Sequence, residues 1–139
     1  MVRIFNRRWI AVLAATVVAA AAVLSAGPAV GATGSVVVSN QNDCTVGPTN
    51  DNFLSPGQTA YVWLTFNAST SVRGYTYEVT GTNSGFDSGI LKIRFKQCAK
   101  FNTTDWVAKF TTPTVSGGYT LTVFDASGTK VSSDNFTIT

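Results

Sequence analysis

Cys44 and Cys98 are the most reactive side chains of this 139-residue chain, which contains no histidine. Without His, the chain lacks the usual general base for a Ser or Cys nucleophile and the commonest zinc ligand. We therefore expect no hydrolase triad and no zinc site. The two cysteines are predicted to form a disulfide, the alternative being two free thiols, and closing a loop of about 55 residues would stabilise the fold by roughly 4 kcal/mol.

Carboxylates are the remaining candidates for catalysis, because glycoside hydrolysis needs a pair of them across the scissile bond. Glu78 is the only glutamate. The other candidates are aspartates whose ordinary role is to bond the backbone in turns and loops, namely Asp43, Asp51, Asp87 and Asp105. A calcium site could draw on oxygen-bearing side chains between Asn40 and Asn52, but their spacing does not match an EF-hand. We expect a protein that is not an enzyme and that carries no metal or cofactor.

An export signal is predicted for residues 1–32. Three arginines among the first eight residues precede the apolar stretch Trp9–Leu24, which is followed within a few residues by a Gly-Pro pair. This stretch is shorter than the roughly 18 to 20 residues of a membrane-spanning helix. Cleavage is expected after Ala32, with Ala26 as the alternative, through either the general secretory or the twin-arginine route. The mature protein, residues 33–139, is therefore predicted to be one secreted domain that is free of the membrane.

The composition after residue 32 is typical of a neutral, all-β protein. It includes 19 Thr, 11 Val and 8 Phe but only four Leu and one Glu, so residues that favour strands dominate. Seven Lys or Arg face seven Asp or Glu in this part of the chain. Such neutrality argues against nucleic-acid binding, which normally requires a basic domain.

Alternation of apolar and polar residues, bounded by Gly, Pro, Asn and Ser clusters, predicts seven strands. We letter them A to G in chain order: Ser35–Ser39, Thr59–Phe66, Arg73–Thr80, Gly89–Lys96, Asp105–Thr111, Gly118–Phe124 and Lys130–Ile138. Their inward residues form one predicted core: Ala60, Val62, Leu64, Phe66, Tyr75, Tyr77, Val79, Leu91, Ile93, Phe95, Trp106, Ala108, Phe110, Tyr119, Leu121, Val123, Phe136 and Ile138. The irregular segment Asn40–Gln58 is long for a compact domain, so we expect it to carry a short extra strand or to have a function of its own.

The segment Pro113–Val123, the turn Asp125–Gly128 and the segment Asn135–Ile138 together resemble the last two strands of bacterial immunoglobulin-like and fibronectin type III-like domains. Ser55–Thr59 resembles the approach to strand B in the same domains. The resemblance implies an antiparallel immunoglobulin-like β-sandwich of about seven strands. It also implies that Tyr119 is a corner tyrosine, whose hydroxyl bonds an upstream backbone group. Many extracellular binding and spacer modules use this scaffold, which by itself indicates no activity.

Strand B carries two apolar sets, because Tyr61 and Trp63 alternate with the residues that point inward. Strands B, E and D share one sheet in such a sandwich, so their outward residues are predicted to form one outer face. This candidate binding face contains Tyr61, Trp63, Lys92, Arg94, Val107 and Lys109. In two alternatives the phase of B is reversed, so that Tyr61 and Trp63 fill the core, or the long segment covers them.

Exposed aromatic and cationic side chains are typical of sugar-stacking and protein-binding surfaces. The sequence therefore favours a secreted, monomeric binding module whose partner is an unidentified protein or polysaccharide. The alternative is a structural or spacer protein of the cell surface or extracellular matrix, with a polymerising fibre subunit as its extreme form. We expect neither nucleic acid nor a membrane as a partner of the mature protein.

Overall fold

A computed structural model describes residues 33–49, 53–98 and 104–139, and the predicted export signal lies outside these ranges. The described residues form nine strands: β1 (Gly34–Ser39), β2 (Phe53–Leu54), β3 (Thr59–Phe66), β4 (Thr76–Gly81), β5 (Leu91–Lys92), β6 (Lys96–Gln97), β7 (Asp105–Thr111), β8 (Gly117–Phe124) and β9 (Lys130–Ile138). The prediction of an all-β domain is confirmed. Within the same ranges, no helix has the length and apolar character needed to cross a bilayer. Residues Ala32–Thr139 form one compact unit.

The strands are arranged in two sheets, as a β-sandwich requires. One sheet has the order β1-β3-β7-β6 and the other has the order β2-β9-β8-β4-β5. Neighbouring strands are antiparallel except β2 and β9, which run parallel. Six of the seven predicted strands correspond to observed strands. Their first and last residues differ from the predicted ones by at most three positions.

The main core contains the inward residues predicted from alternation, apart from Leu91. Aromatic rings from both sheets meet in it. Tyr119 of β8 stacks on Phe136 of β9 with ring centroids 5.7 Å apart, and Phe110 of β7 meets Phe136 edge-on at 5.9 Å. The hydroxyl of Tyr119 donates to the Val115 carbonyl at 2.6 Å, which is the bond expected of a corner tyrosine.

The prediction of strand D as one continuous strand is wrong. In place of one strand over Gly89–Lys96, the chain forms β5 against β4 in one sheet and β6 against β7 in the other. Residues 93–95 cross between the sheets. The inward side chains of Ile93 and Phe95 keep the alternation intact across this crossing, so the pattern does not reveal that the backbone changes partner. Leu91 is 41% exposed because β5 lies at a sheet edge.

The long segment between β1 and β3 contains the predicted extra strand and one end of the predicted disulfide. Strand β2 pairs with the end of β9, where Leu54 lies opposite Ile138. Cys44 and Cys98 are bonded, with their Cα atoms 5.2 Å apart, so both predictions are confirmed. The disulfide joins this segment to the residue that follows β6.

The outer edge of β1 is occupied by a side chain from the other sheet. A carboxylate oxygen of Asp134 in β9 accepts the backbone N–H of Val38 at 2.8 Å. Because β1 is the last strand of its sheet, this N–H would otherwise have no strand to pair with.

Candidate functional site

The predicted binding face of strands B, E and D is covered by protein. Trp63 is 1% exposed and Val107 is 7% exposed, and both belong to a second apolar cluster with Cys98. Val37, Cys44 and Tyr61 are partly buried against this cluster. Trp63 Nε1 donates to the Gln41 carbonyl at 2.7 Å, and Asn42 Nδ2 donates to the Tyr61 hydroxyl at 3.4 Å. The long segment and its disulfide therefore lie over this face.

The predicted exposure of Trp63 is wrong, and the alternative in which the long segment covers Tyr61 and Trp63 is correct. The phase of the strand was right, since Ala60, Val62 and Leu64 do face the main core. Period-two geometry prevents both apolar sets of one strand from facing the same core. It does not prevent the second set from being covered by a loop. Of the predicted face residues on β3 and β7, only Lys109 is exposed.

The covering segment is held by polar contacts as well as by the disulfide. Ser39 is fully buried, and its hydroxyl accepts the Gln41 N–H and bonds the Thr49 hydroxyl, each at 3.0 Å. Asp43 accepts the backbone N–H of Thr45 at 2.8 Å and the hydroxyl of Thr45 at 2.7 Å, and these bonds lower the pKa of the Asp43 carboxyl. Asp43 thus has the turn-forming role expected of an aspartate in a loop.

Lys92 and Arg94, the other two predicted face residues, lie in a different place. Both line a cleft of about 740 Å³ where the chain crosses between the sheets, and we call it the crossover cleft. Its lining consists of Ser71, Val72, Arg73, Gly74, Tyr75, Thr76, Lys92, Ile93, Arg94, Phe95 and Trp106. A volume of this size is within the roughly 300 to 1,000 Å³ of small-molecule sites.

The register of β4 and β5 explains why a cleft opens here. Thr76, the first residue of β4, lies opposite Lys92, the last residue of β5. Beyond this pair, residues 93–95 lead to β6 of the other sheet, and residues 71–75 end the connection from β3 of that sheet to β4. Both segments line the cleft.

A tight turn shapes the wall that contains Arg73. The Tyr75 N–H donates to the Val72 carbonyl at 3.4 Å, and Gly74 has a φ of 79°, which favours glycine. A Cβ at Gly74 would also lie 3.2 Å from the Cβ of Ala126 in the β8–β9 turn. Glycine therefore lets this wall pack closely against that turn.

The deep part of the crossover cleft is apolar and largely aromatic. Val72, Tyr75 and Ile93 are buried, and Phe95 and Trp106 are partly buried. The Tyr75 and Phe95 rings meet edge-on with centroids 6.4 Å apart. Burial, and then the negative charge of Asp125, raise the pKa of Tyr75, so its hydroxyl stays protonated at neutral pH. The indole Nε1 of Trp106 is buried, and no described residue forms a hydrogen bond with it.

The rim of the cleft is cationic. Arg73, Lys92 and Arg94 are exposed, and none of them forms an ion pair or a side-chain hydrogen bond with another described residue. Asp125, the acidic group that acts on Tyr75, accepts hydrogen bonds from Ser127 and Thr129 of its own turn, which lower the pKa of the Asp125 carboxyl. The positive charge of the rim is thus left without a paired carboxylate in the described part of the chain.

Of the carboxylates considered for catalysis, Glu78 and Asp87 lie together, whereas Asp105 lies in the other sheet. Glu78 of β4 is paired with Asp87 on one sheet, and partial burial, the charge of Asp87 and their mutual hydrogen bond raise the pKa of Glu78. Asp105 is buried in β7 of the other sheet, and Asp51 lies outside the described residues. Across residues 33–49, 53–98 and 104–139, no three acidic, Cys or His side chains are grouped as a metal site requires.

Sequence reasoning identified two of the three cations at the cleft but missed its aromatic residues as site residues. Arg73, Tyr75 and Phe95 were assigned to two strands of one sandwich, and only the crossing of residues 93–95 brings them together. No protein-family model matches the chain, and comparison with curated proteins gives no match. Its function is therefore inferred from the geometry of this site.

Proposed function

We propose that this chain is an exported, non-enzymatic binding module that contacts its ligand through the crossover cleft. The observation that carries the proposal is a cleft with an aromatic lining whose three exposed cations, Arg73, Lys92 and Arg94, have no ion-pair partner within the described part of the chain. A mostly apolar concave surface with a few polar groups at defined positions is the usual form of a ligand site. The face first considered for binding is covered by the long segment and its disulfide.

The strand order supports an immunoglobulin-like scaffold. Strands β1, β3, β7 and β6 have the order A-B-E-D, while β9, β8 and β4 have the order G-F-C. The Tyr119 bond to the residue 115 carbonyl occupies the place of the corner tyrosine in that scaffold. The disulfide supports export, because disulfides persist mainly in oxidising compartments outside the cytoplasm.

The proposal can be tested by NMR on ¹⁵N-labelled residues 33–139 with the disulfide formed. The protein is titrated with acidic and neutral polysaccharides, peptides of either charge and small aromatic acids, amides and amines. Binding through the cleft predicts saturable shift changes confined to residues 71–76, 92–95 and 106. A matched pair of double variants locates the contact. Arg73→Gln/Arg94→Gln removes two positive charges from the cleft, and Lys96→Gln/Lys109→Gln removes two from the outer face of the sheet that contains β7. Binding that shifts residues elsewhere, or that both variants weaken equally, would contradict the proposal.

A structural or spacer role is the second candidate, and one observation favours it. Phe53 in the two-residue edge strand β2 is 69% exposed, and an exposed apolar edge can pair with another chain. Size-exclusion chromatography with light scattering separates the candidates. A spacer is an inert monomer that binds no compound of the panel, and a fibre subunit assembles with rising concentration. Loss of assembly in Phe53→Ser would support the fibre subunit.

A further inference from the structure

We infer that the crossover cleft takes a small anion with an aromatic or other apolar body, such as an aryl carboxylate, phosphate or sulfonate. This inference rests on the proposed function, since it assumes that the cleft is the binding site. It adds the chemical class of the ligand, which follows from how charge and apolar surface are divided within the cleft.

The interior of the cleft selects an apolar body. The side chains with the lowest exposure in its lining are Val72, Tyr75 and Ile93. An apolar group that replaces water against the partly buried Phe95 and Trp106 beside them gains hydrophobic free energy. Aromatic guests gain further from edge-to-face contacts of the kind that Tyr75 and Phe95 already make with each other.

The rim selects a negative charge. Arg73 lines the cleft from the segment before β4, while Lys92 and Arg94 line it from the segment between β5 and β6, so two parts of the chain contribute cations to it. The planar guanidinium of Arg matches carboxylate, phosphate and sulfonate oxygens through two parallel N–H donors. Since these cations have no carboxylate partner among the described residues, a ligand does not need to break an existing ion pair.

The same features favour a compact guest over a polysaccharide chain. A sugar polymer stacks on flat, exposed aromatic rings, whereas Tyr75 is 7% exposed and contacts Phe66 and Phe95 edge-on. Thr76 and Lys92, which pair between β4 and β5, both belong to the lining of the cleft. A short molecule with its charge at one end matches a lining that has apolar side chains at its buried positions and cations at its exposed ones.

The probe is 2-naphthoate, with 2-naphthamide and 2-naphthylmethylamine as neutral and cationic controls that carry the same rings. We expect 2-naphthoate to shift the amides of residues 71–76 and 92–95 and the Trp106 indole N–H, with an affinity about tenfold above that of the amide. Arg73→Gln/Arg94→Gln should lower the naphthoate affinity by about tenfold or more, and Lys96→Gln/Lys109→Gln by less than about twofold. Circular dichroism melting of both variants verifies that each remains folded.

Each other outcome overturns the inference in a distinguishable way. Equal binding of the acid, amide and amine in the cleft would show that charge does not select the ligand, and the cleft would remain the binding site. If a polyuronate shifts the amide signals of the cleft residues and naphthoate does not bind, the ligand is a glycan and not a small anion. The proposed function would then stand. If naphthoate shifts only residues outside the cleft while other panel compounds also fail there, both the inference and the proposed site are wrong.

Discussion

Replacing Trp63 with Ala should destabilise the domain by about 3 kcal/mol, the lower end of the range for a buried tryptophan. The side chain is 1% exposed and contacts Cys98 and Val107, so its removal leaves a cavity beneath the covering segment. It also leaves the Gln41 carbonyl without its donor, at a cost of about 1 kcal/mol. We place the total loss of unfolding free energy at the lower end of that range because the covering segment is a loop. A loop can move into a cavity more easily than two packed sheets can.

Urea denaturation of the oxidised protein, followed by far-ultraviolet circular dichroism, measures this loss. Trp63→Phe is the matched control: it keeps most of the apolar contact, loses the hydrogen bond and should lower the free energy of unfolding by about 1 to 2 kcal/mol. In a Trp106→Phe background, the Trp63 fluorescence should be blue-shifted and resistant to iodide. A loss below about 1 kcal/mol for Trp63→Ala, together with red-shifted, readily quenched emission, would refute the covered position of Trp63.

Three further predictions concern the disulfide, a carboxyl pair and the buried hydroxyl bond of Tyr119. Cys44→Ser/Cys98→Ser should lower the free energy of unfolding by about 4 kcal/mol in urea and make the covered tryptophan accessible to iodide, and unchanged quenching would show that the segment stays in place without the bond. The pKa of Glu78 is raised above 4.5, so the folded state holds this proton more tightly than the unfolded state, and the free energy of unfolding should decline as the pH rises from 4.5 through the raised value. Asp87→Asn should bring the NMR-measured pKa of Glu78 closer to 4.5, and an unchanged titration would contradict the pairing. Tyr119→Phe should cost about 1 to 2 kcal/mol in thermal or urea denaturation, since it removes a 2.6 Å bond to a backbone carbonyl, and a neutral effect would argue against this anchoring role.

Strand positions were predictable from sequence because a strand with one buried face needs apolar and polar side chains in alternation. The bounds of β3, β7 and β9 agree with the predicted ones, since each strand has one face in the main core and turn residues near its ends. The crossing at residues 93–95 was not predictable in this way. Alternation records which side chains point inward, but it does not record which neighbouring strand the backbone bonds.

The candidate site was harder to predict for a related reason. Trp63 and Tyr61 form an apolar set on an outer face, and a sequence pattern is the same whether solvent or a loop lies over such a face. The position of Cys44 in the long segment did carry a signal, because a bond to Cys98 brings that segment to the sheet beside β7. Lys92 and Arg94 were recognised as cations but were placed on the wrong surface. Their partner Arg73 lies 19 residues before Lys92 in the chain, and only the sheet-to-sheet crossing shows that they share a cleft.

The Asp134 carboxylate at the outer edge of β1 limits how copies of this protein can associate. A strand from another molecule could extend the sheet beyond β1 only by displacing this carboxylate from the Val38 N–H and burying or expelling its charge. The opposite end of the same sheet is β6, which has two residues and gives little length for pairing. Addition of strands from other copies is therefore opposed at both edges of this sheet. Strand pairing between copies is therefore more favourable at the other sheet, where the edge strand β2 presents Phe53 to solvent.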